Sequence, residues 1–172
     1  MTLRRALDAL YDAAAYLAAL FLVGTLAMVL VGILGRLLYF HLPGTDAYAG
    51  YCMAAAGFLA LAHTLKRGEH IRVTLLLEHA VPAMRRRLQL WSLAAASVLA
   101  GLSAFYSVRL AWQSYQFNDV STASDATPLW IPQLAMAAGT VILLVAFVDE
   151  LVRELRGVST PPPASAEPTF IE

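Results

Sequence analysis

Four long stretches of the chain contain no Asp, Glu, Lys or Arg and are rich in Ala, Leu and Val. They are residues 13–35, 47–65, 88–108 and 126–148. A helix needs about 20 apolar residues to cross a hydrocarbon core roughly 30 Å thick, and it satisfies its own backbone hydrogen bonds there. The pattern therefore predicts an all-α integral membrane protein, a four-helix bundle of four spans.

Composition agrees with this pattern. The 172 residues are 59% hydrophobic and only 14% charged, whereas a soluble domain carries about a quarter charged residues. The net charge is zero, so nothing indicates a nucleic-acid partner. The first apolar stretch is longer than the core of a signal peptide and follows Asp8 and Asp12, so we do not expect it to be cleaved.

The basic residues orient the spans. Of the 12 Lys and Arg residues, all but Arg36 and Arg109 lie in the N-terminal segment, between spans 2 and 3, or after span 4. By the positive-inside rule, both termini and the central loop are cytoplasmic. Residues 1–157 form the predicted membrane domain, and the Pro-rich residues 158–172 form a disordered cytoplasmic tail.

The central loop has a periodicity of its own. Between residues 73 and 84, apolar side chains recur at helical spacing, and three consecutive arginines follow this segment. It is too short to span a membrane, which predicts a short amphipathic helix at the membrane surface. It could lie on lipid headgroups, pack against another protein, or do both.

The spans carry little that could support chemistry. They contain no charged residue, and His63 is the only histidine within one, so a haem has no pair of axial ligands. The sequence shows no catalytic set, metal cluster or phosphate-binding loop. We therefore expect no enzymatic activity, and no cofactor or metal in this chain.

The turns and spans contain several structural signals. Asp46 is predicted to be the N-cap of span 2, and Pro128 and Pro132 to lie in the first turn of span 4. Small residues four apart, such as Ala135 and Gly139, indicate close helix packing, either within the chain or against a partner.

Three blocks of sequence resemble the small membrane subunit of TRAP (tripartite ATP-independent periplasmic) transporters. They are GRLLYFHLPGTDAY (35–48), KRGEHIRVTLLL (66–77) and SDATPLWIPQLAMAAG (124–139). The first is similar to the family's arginine after span 1 and its acid at span 2. The second is similar to its Gly-x-His-Ile-x-Val turn, and the third to its Pro-x-Trp-x-Pro block and glycine. The candidate subunit-interface or structural residues are Arg36, Asp46, Arg67, His70, Pro128, Trp130, Pro132 and Gly139.

The resemblance implies a three-part uptake system in the bacterial inner membrane. A periplasmic binding protein would capture an organic acid, a large membrane subunit would move it with sodium, and this chain would be the scaffold of the large subunit. Sodium would bind the large subunit rather than this chain. Two alternatives are a quinone-binding membrane anchor of a respiratory or redox enzyme, and a free-standing small transporter, which spans without charges disfavour.

Overall fold

The computed structural model describes residues 2–40, 42–66 and 82–157, and within these ranges the chain forms four helices. They are α1 (Thr2–Leu37), α2 (Thr45–Lys66), α3 (Pro82–Phe117) and α4 (Trp130–Leu155). Each contains a stretch long and apolar enough to cross a membrane. The predicted all-α membrane bundle is confirmed.

Some predicted features lie outside the described residues. These are Arg67, His70, most of the predicted surface helix 73–84, and the tail 158–172. The last three residues of that predicted surface helix, 82–84, belong to the first turn of α3. The surface helix and the disordered tail therefore stay predictions.

The helices pack side by side in the order α1, α2, α4, α3. We call the end with residues 38–44 and 118–129 the turn end, and the opposite end, where α1 and α3 begin and α2 and α4 end, the termini end. The most apolar windows of α2 and α4 are 33% and 22% buried, against 6% and 11% for α1 and α3. The inner pair is therefore α2 and α4, and α1 and α3 flank it.

Helix α4 begins later than predicted. The loop before it closes on an isolated antiparallel bridge between Val120 and Pro128. Two backbone hydrogen bonds flank this bridge, from Ser121 N–H to the Thr127 carbonyl (2.8 Å) and from Leu129 N–H to the Asp119 carbonyl (2.9 Å). The bridge pair itself exchanges no hydrogen bond, so the missing N–H of a proline costs nothing there. Pro128 therefore lies before the helix, whereas Pro132 is in its first turn as predicted.

The N-cap of α2 is Gly44 rather than Asp46. The Gly44 carbonyl accepts a 3.0 Å hydrogen bond from Tyr48 N–H, and Gly44 has a φ of +85°, which glycine adopts readily. Asp46 is the second residue of α2. Its carboxylate still interacts favourably with the positive end of the helix dipole, which explains an acid at this position.

Small residues line the contact between α3 and α4. The buried side chains of α3 follow alternating steps of four and three residues: Ala100, Ala104, Ser107, Ala111 and Ser114. This is the 3.5-residue repeat of helices that cross at a small angle, and small side chains let the two backbones approach. Ala100 and Ala104, which are four residues apart, therefore pack inside the chain.

Helices α2 and α4 approach each other closely at Gly139. A Cβ atom on Gly139 would lie 2.6 Å from the backbone carbonyl carbon and oxygen of Phe58 in α2. No larger residue fits without moving one of the two helices. Gly139 therefore packs against α2 of the same chain rather than against a partner.

We expect Gly139→Ala to destabilise the bundle by about 1–3 kcal/mol, because the added methyl group overpacks against backbone that cannot move aside. The matched control is Gly57→Ala in α2, where a Cβ meets nothing within 4 Å. That change should be neutral or stabilise the helix by up to about 1 kcal/mol. Thermal unfolding in detergent, followed by circular dichroism, measures both. Equal effects of the two changes would contradict the close-contact interpretation.

Candidate functional site

Two helix surfaces of the bundle are left uncovered, and they differ in chemistry. The exposed large side chains of α1 are almost all aliphatic: Leu10, Leu17, Leu20, Leu22, Val23, Leu26, Val29, Leu30, Ile33, Leu34 and Leu37, with Tyr16 the one aromatic. Aliphatic side chains are as apolar as lipid tails, so this surface suits a bilayer. It has no feature that favours a protein partner over lipid.

The uncovered surface of α3 combines aliphatic side chains with six aromatic ones and is partly polar. Its exposed aromatic residues are Trp91, Phe105, Tyr106, Trp112, Tyr115 and Phe117. Ser103 is exposed and Gln113 half-buried on the same side of the helix as Tyr106. Aromatic residues are enriched in protein interfaces, and hydroxyl and amide groups facing lipid would lose hydrogen bonds. We call this surface the α3 face.

A polar cluster joins the two loops at the turn end. Tyr51 of α2 donates a 3.3 Å hydrogen bond to Asp125 Oδ2, and the Thr127 hydroxyl lies 3.1 Å from Tyr48 Oη. A Cβ on Gly44 would lie 2.6 Å from the Asp125 Cβ, so the α1–α2 turn and the α3–α4 loop are in direct contact. We call these five residues the loop clasp.

Hydrogen bonding keeps the clasp carboxylate ionised. The hydroxyl of Thr127 first, and those of Ser121 and Tyr51 with it, lower the pKa of Asp125, although partial burial acts in the opposite direction. Hydroxyl donors stabilise the charged form of a carboxylate. At neutral pH the clasp is therefore a charge-assisted network rather than a neutral one.

At the termini end, polar side chains of α1 lie close to polar side chains of α2. Asp8 Oδ1 lies 2.9 Å from Lys66 Nζ, and Asp12 Oδ1 lies 3.6 Å from His63 Nδ1, which is longer than a hydrogen bond. Between them Tyr11 is buried, with the Lys66 ammonium 5.7 Å from its ring centre. Partly exposed pairs of this kind contribute little stability each, about 0.2–1 kcal/mol. They set the register of the two helices rather than hold them together.

Two of the candidate subunit-interface or structural residues line the same cavity at the turn end. Arg36, near the end of α1, and Asp46, in the first turn of α2, both line one shallow cavity of about 300 Å³. In the sequence they lie on either side of the α1–α2 turn, and the helical hairpin brings both to the opening of this cavity.

The Pro-x-Trp-x-Pro block positions an aromatic cluster. Trp130 is the first residue of α4, and its ring packs edge-on against Tyr115 of α3, with centroids 5.6 Å apart. Trp112 lies 6.3 Å from Tyr115. Pro128 and Pro132, on either side of Trp130, fix the backbone that presents this ring. Arg67 and His70 lie outside the described residues.

Sequence reasoning missed the contacts between elements. Asp125 and its tyrosine partners were not singled out, and nothing in their local pattern distinguishes them from solvated loop residues. The pairs at the termini end had a signal. Asp8 and Asp12 are four apart on α1, and His63 and Lys66 are three apart on α2, so each pair lies on one face of its helix.

No metal centre occurs in the described part of the chain: no three His, Cys, Asp or Glu side chains lie close enough together there to hold an ion. Because residues 67–81 are outside that part, the expected absence of a metal or haem stays a prediction.

We expect Asp125→Asn to weaken the loop clasp at neutral pH. Because the pKa of Asp125 is lowered in the folded state, its contribution to stability is present above the ordinary carboxyl pKa of about 3.9 and is lost as pH falls through the lower folded value. Thermal unfolding of wild type should therefore lose this contribution on acidification, whereas the variant should lack that loss. Asp119→Asn, in the same loop, is the control. If Asp125→Asn lost as much stability on acidification as wild type does, the charged clasp would be refuted.

Comparison with known proteins supplies a family. A family model described as the DctQ component of tripartite ATP-independent periplasmic transporters matches residues 25–157, well over half of the chain. No curated protein and no solved structure matches the chain. The matched region includes α2, α3 and α4 in full but only residues 25–37 of α1, and the family does not favour a redox-enzyme anchor. The chain therefore belongs to the DctQ family, the small membrane component of TRAP transporters.

Proposed function

We propose that this chain is the scaffold for the large membrane subunit in a sodium-driven, binding-protein-dependent transporter that takes up organic acids. The observation that carries the proposal is that its four spans contain no Asp, Glu, Lys or Arg. A transport pathway for a carboxylate and sodium needs ionisable side chains, polar groups or broken helices near the membrane centre. A stationary partner needs only anchoring and packing surface.

The packing of the inner pair supports a stationary role. Helices α2 and α4 touch backbone to backbone at Gly139 and Phe58, and the loop clasp ties the two loops at one end. Packed interfaces of this kind resist continuous deformation. The moving parts of the transporter then belong to the large subunit, which also binds sodium.

We place the termini end in the cytoplasm and the turn end in the periplasm of the bacterial inner membrane. Arg36 and Arg109 are the only basic residues toward the turn end of the described helices, whereas the termini end carries Arg4, Arg5, Lys66, Arg86, Arg87, Arg153 and Arg156. This asymmetry supports the positive-inside orientation. The loop clasp then faces the compartment of the periplasmic binding protein.

The α3 face is our choice for the contact with the large subunit, and the aliphatic surface of α1 for lipid. Large aromatic side chains such as Trp91 and Tyr106 provide much contact area at low entropic cost. The hydroxyl groups of Ser103 and Tyr106 would find partners in a protein interface more readily than in lipid. Arg67 and His70, which follow α2 in the sequence, are further candidate contacts.

Uptake by reconstituted vesicles tests the function. This chain alone, under a sodium gradient, should move no labelled carboxylate. The large subunit together with the loaded binding protein and this chain should take it up, and leaving this chain out should abolish or strongly reduce uptake. Sodium-driven uptake by this chain alone, or undiminished uptake without it, would refute the scaffold role.

Substitutions test the α3 face. Tyr106→Ala should weaken binding of the large subunit about tenfold in Kd, the cost of removing one interface anchor. Tyr16→Ala on α1 is the matched control, because Tyr16 is 79% exposed and Tyr106 is 60% exposed. Co-purification at graded detergent dilution measures both. If Tyr16→Ala weakened binding of the large subunit more than Tyr106→Ala does, the interface would lie on α1 instead.

A further inference from the structure

The turn that joins α1 to α2 forms a cavity with an unusual lining. Helix α1 ends with Tyr39 in the left-handed region (φ +58°), and the chain folds back so that Phe40 N–H bonds to the Gly35 carbonyl at 3.0 Å. This is a Schellman-type end. It directs the turn over the last turns of α1, where the turn forms part of the wall of the shallow, open cavity of about 300 Å³.

The cavity combines apolar walls with two opposite charges. Val31, Phe40 and Leu42 supply apolar surface, and Arg36 and Asp46 stand at the opening. Both charged side chains are exposed, and neither forms an ion pair with any residue that the structure describes. Each is favoured where it is by its own helix dipole, the arginine at a C-terminus and the aspartate at an N-terminus. Their charges therefore remain available to a ligand.

The position of the cavity narrows the class of ligand. It lies at the end of two helices that are long and apolar enough to cross a membrane. In a bilayer, the ends of such helices are expected where lipid headgroups meet the hydrocarbon core. Arginine matches a phosphate with two parallel hydrogen bonds, and a carboxylate accepts hydrogen bonds from a primary ammonium group. A ligand with a phosphate and an ammonium group a few atoms apart, attached to an apolar tail, would bind both charged residues and pack on the apolar walls.

We propose that this cavity binds the headgroup of a zwitterionic aminophospholipid, with the phosphate on Arg36 and the ammonium on Asp46. The glycerol region and the first methylenes of the acyl chains pack on Val31, Phe40 and Leu42. The site lies on the α1 side of the bundle, away from the α3 face, so it can stay occupied whether or not a protein covers α3. A bound lipid there joins the ends of α1 and α2 at the turn end.

Lipid binding to the purified full chain tests this site. After delipidation in mild detergent, the chain is titrated with phosphatidylethanolamine, phosphatidylcholine and phosphatidylglycerol, and bound lipid is counted by native mass spectrometry. Wild type should bind phosphatidylethanolamine about fivefold or more tighter than the other two, because only its headgroup brings a hydrogen-bonding ammonium to Asp46. Inorganic phosphate, added alone, should not compete. Equal binding of the three lipids, or displacement by phosphate, would overturn the proposal without any variant.

Two variants test the roles proposed for Arg36 and Asp46. Arg36→Gln should weaken all three lipids about tenfold, and Asp46→Asn should remove the preference for phosphatidylethanolamine. Arg109→Gln is the matched control, an exposed arginine on α3 toward the same end of the bundle and outside this cavity. Circular dichroism confirms that each variant is folded. If Arg36→Gln and Arg109→Gln reduce lipid binding equally, Arg36 contacts only bulk lipid, and the proposed site is refuted.

Discussion

The backbone contact between α2 and α4 at Gly139 is the constraint on which the rest of the bundle depends. Lipid tails are as apolar as leucine, so helices in a membrane gain little from burying apolar side chains and associate mainly through close packing. At Gly139 a Cβ would collide with the backbone of Phe58, and the stripe of small residues on α3 extends the same kind of packing to α4. The inner pair is thereby made rigid, and α1 and α3 are left on the outside.

This arrangement has a functional consequence. A bundle that packs its two central helices against each other leaves two separate outer surfaces, one almost entirely aliphatic on α1 and one with both aliphatic and aromatic side chains on α3. The proposed scaffold role assigns the first surface to lipid and the second to the large subunit. The loop clasp and the cavity lined by Arg36 and Asp46 lie at the same end of the molecule.

Much of the fold was predictable because membrane spans can be recognised from their amino-acid composition. The lack of charges marks each span, and the arginines mark one side of the membrane. The start of α4 was not predictable in this way, because residues 126–129 are free of charge but form a bridged loop, with Ala126 at φ +47°. The N-cap of α2 was misassigned for a related reason: Asp46 is a good capping residue, but Gly44 supplies the positive φ that the turn needs.

By itself, the sequence determined the number of spans, the all-α class, the uneven placement of basic residues and the family resemblance. Each of these depends on local composition or on short motifs. Only the tertiary structure decided that Gly139 packs within the chain, that Asp125 meets Tyr51, and that Arg36 and Asp46 share one cavity. These contacts join residues far apart in the chain or across a turn. They depend on which helix faces lie together, and that is set by the summed packing of all four helices rather than by any local pattern.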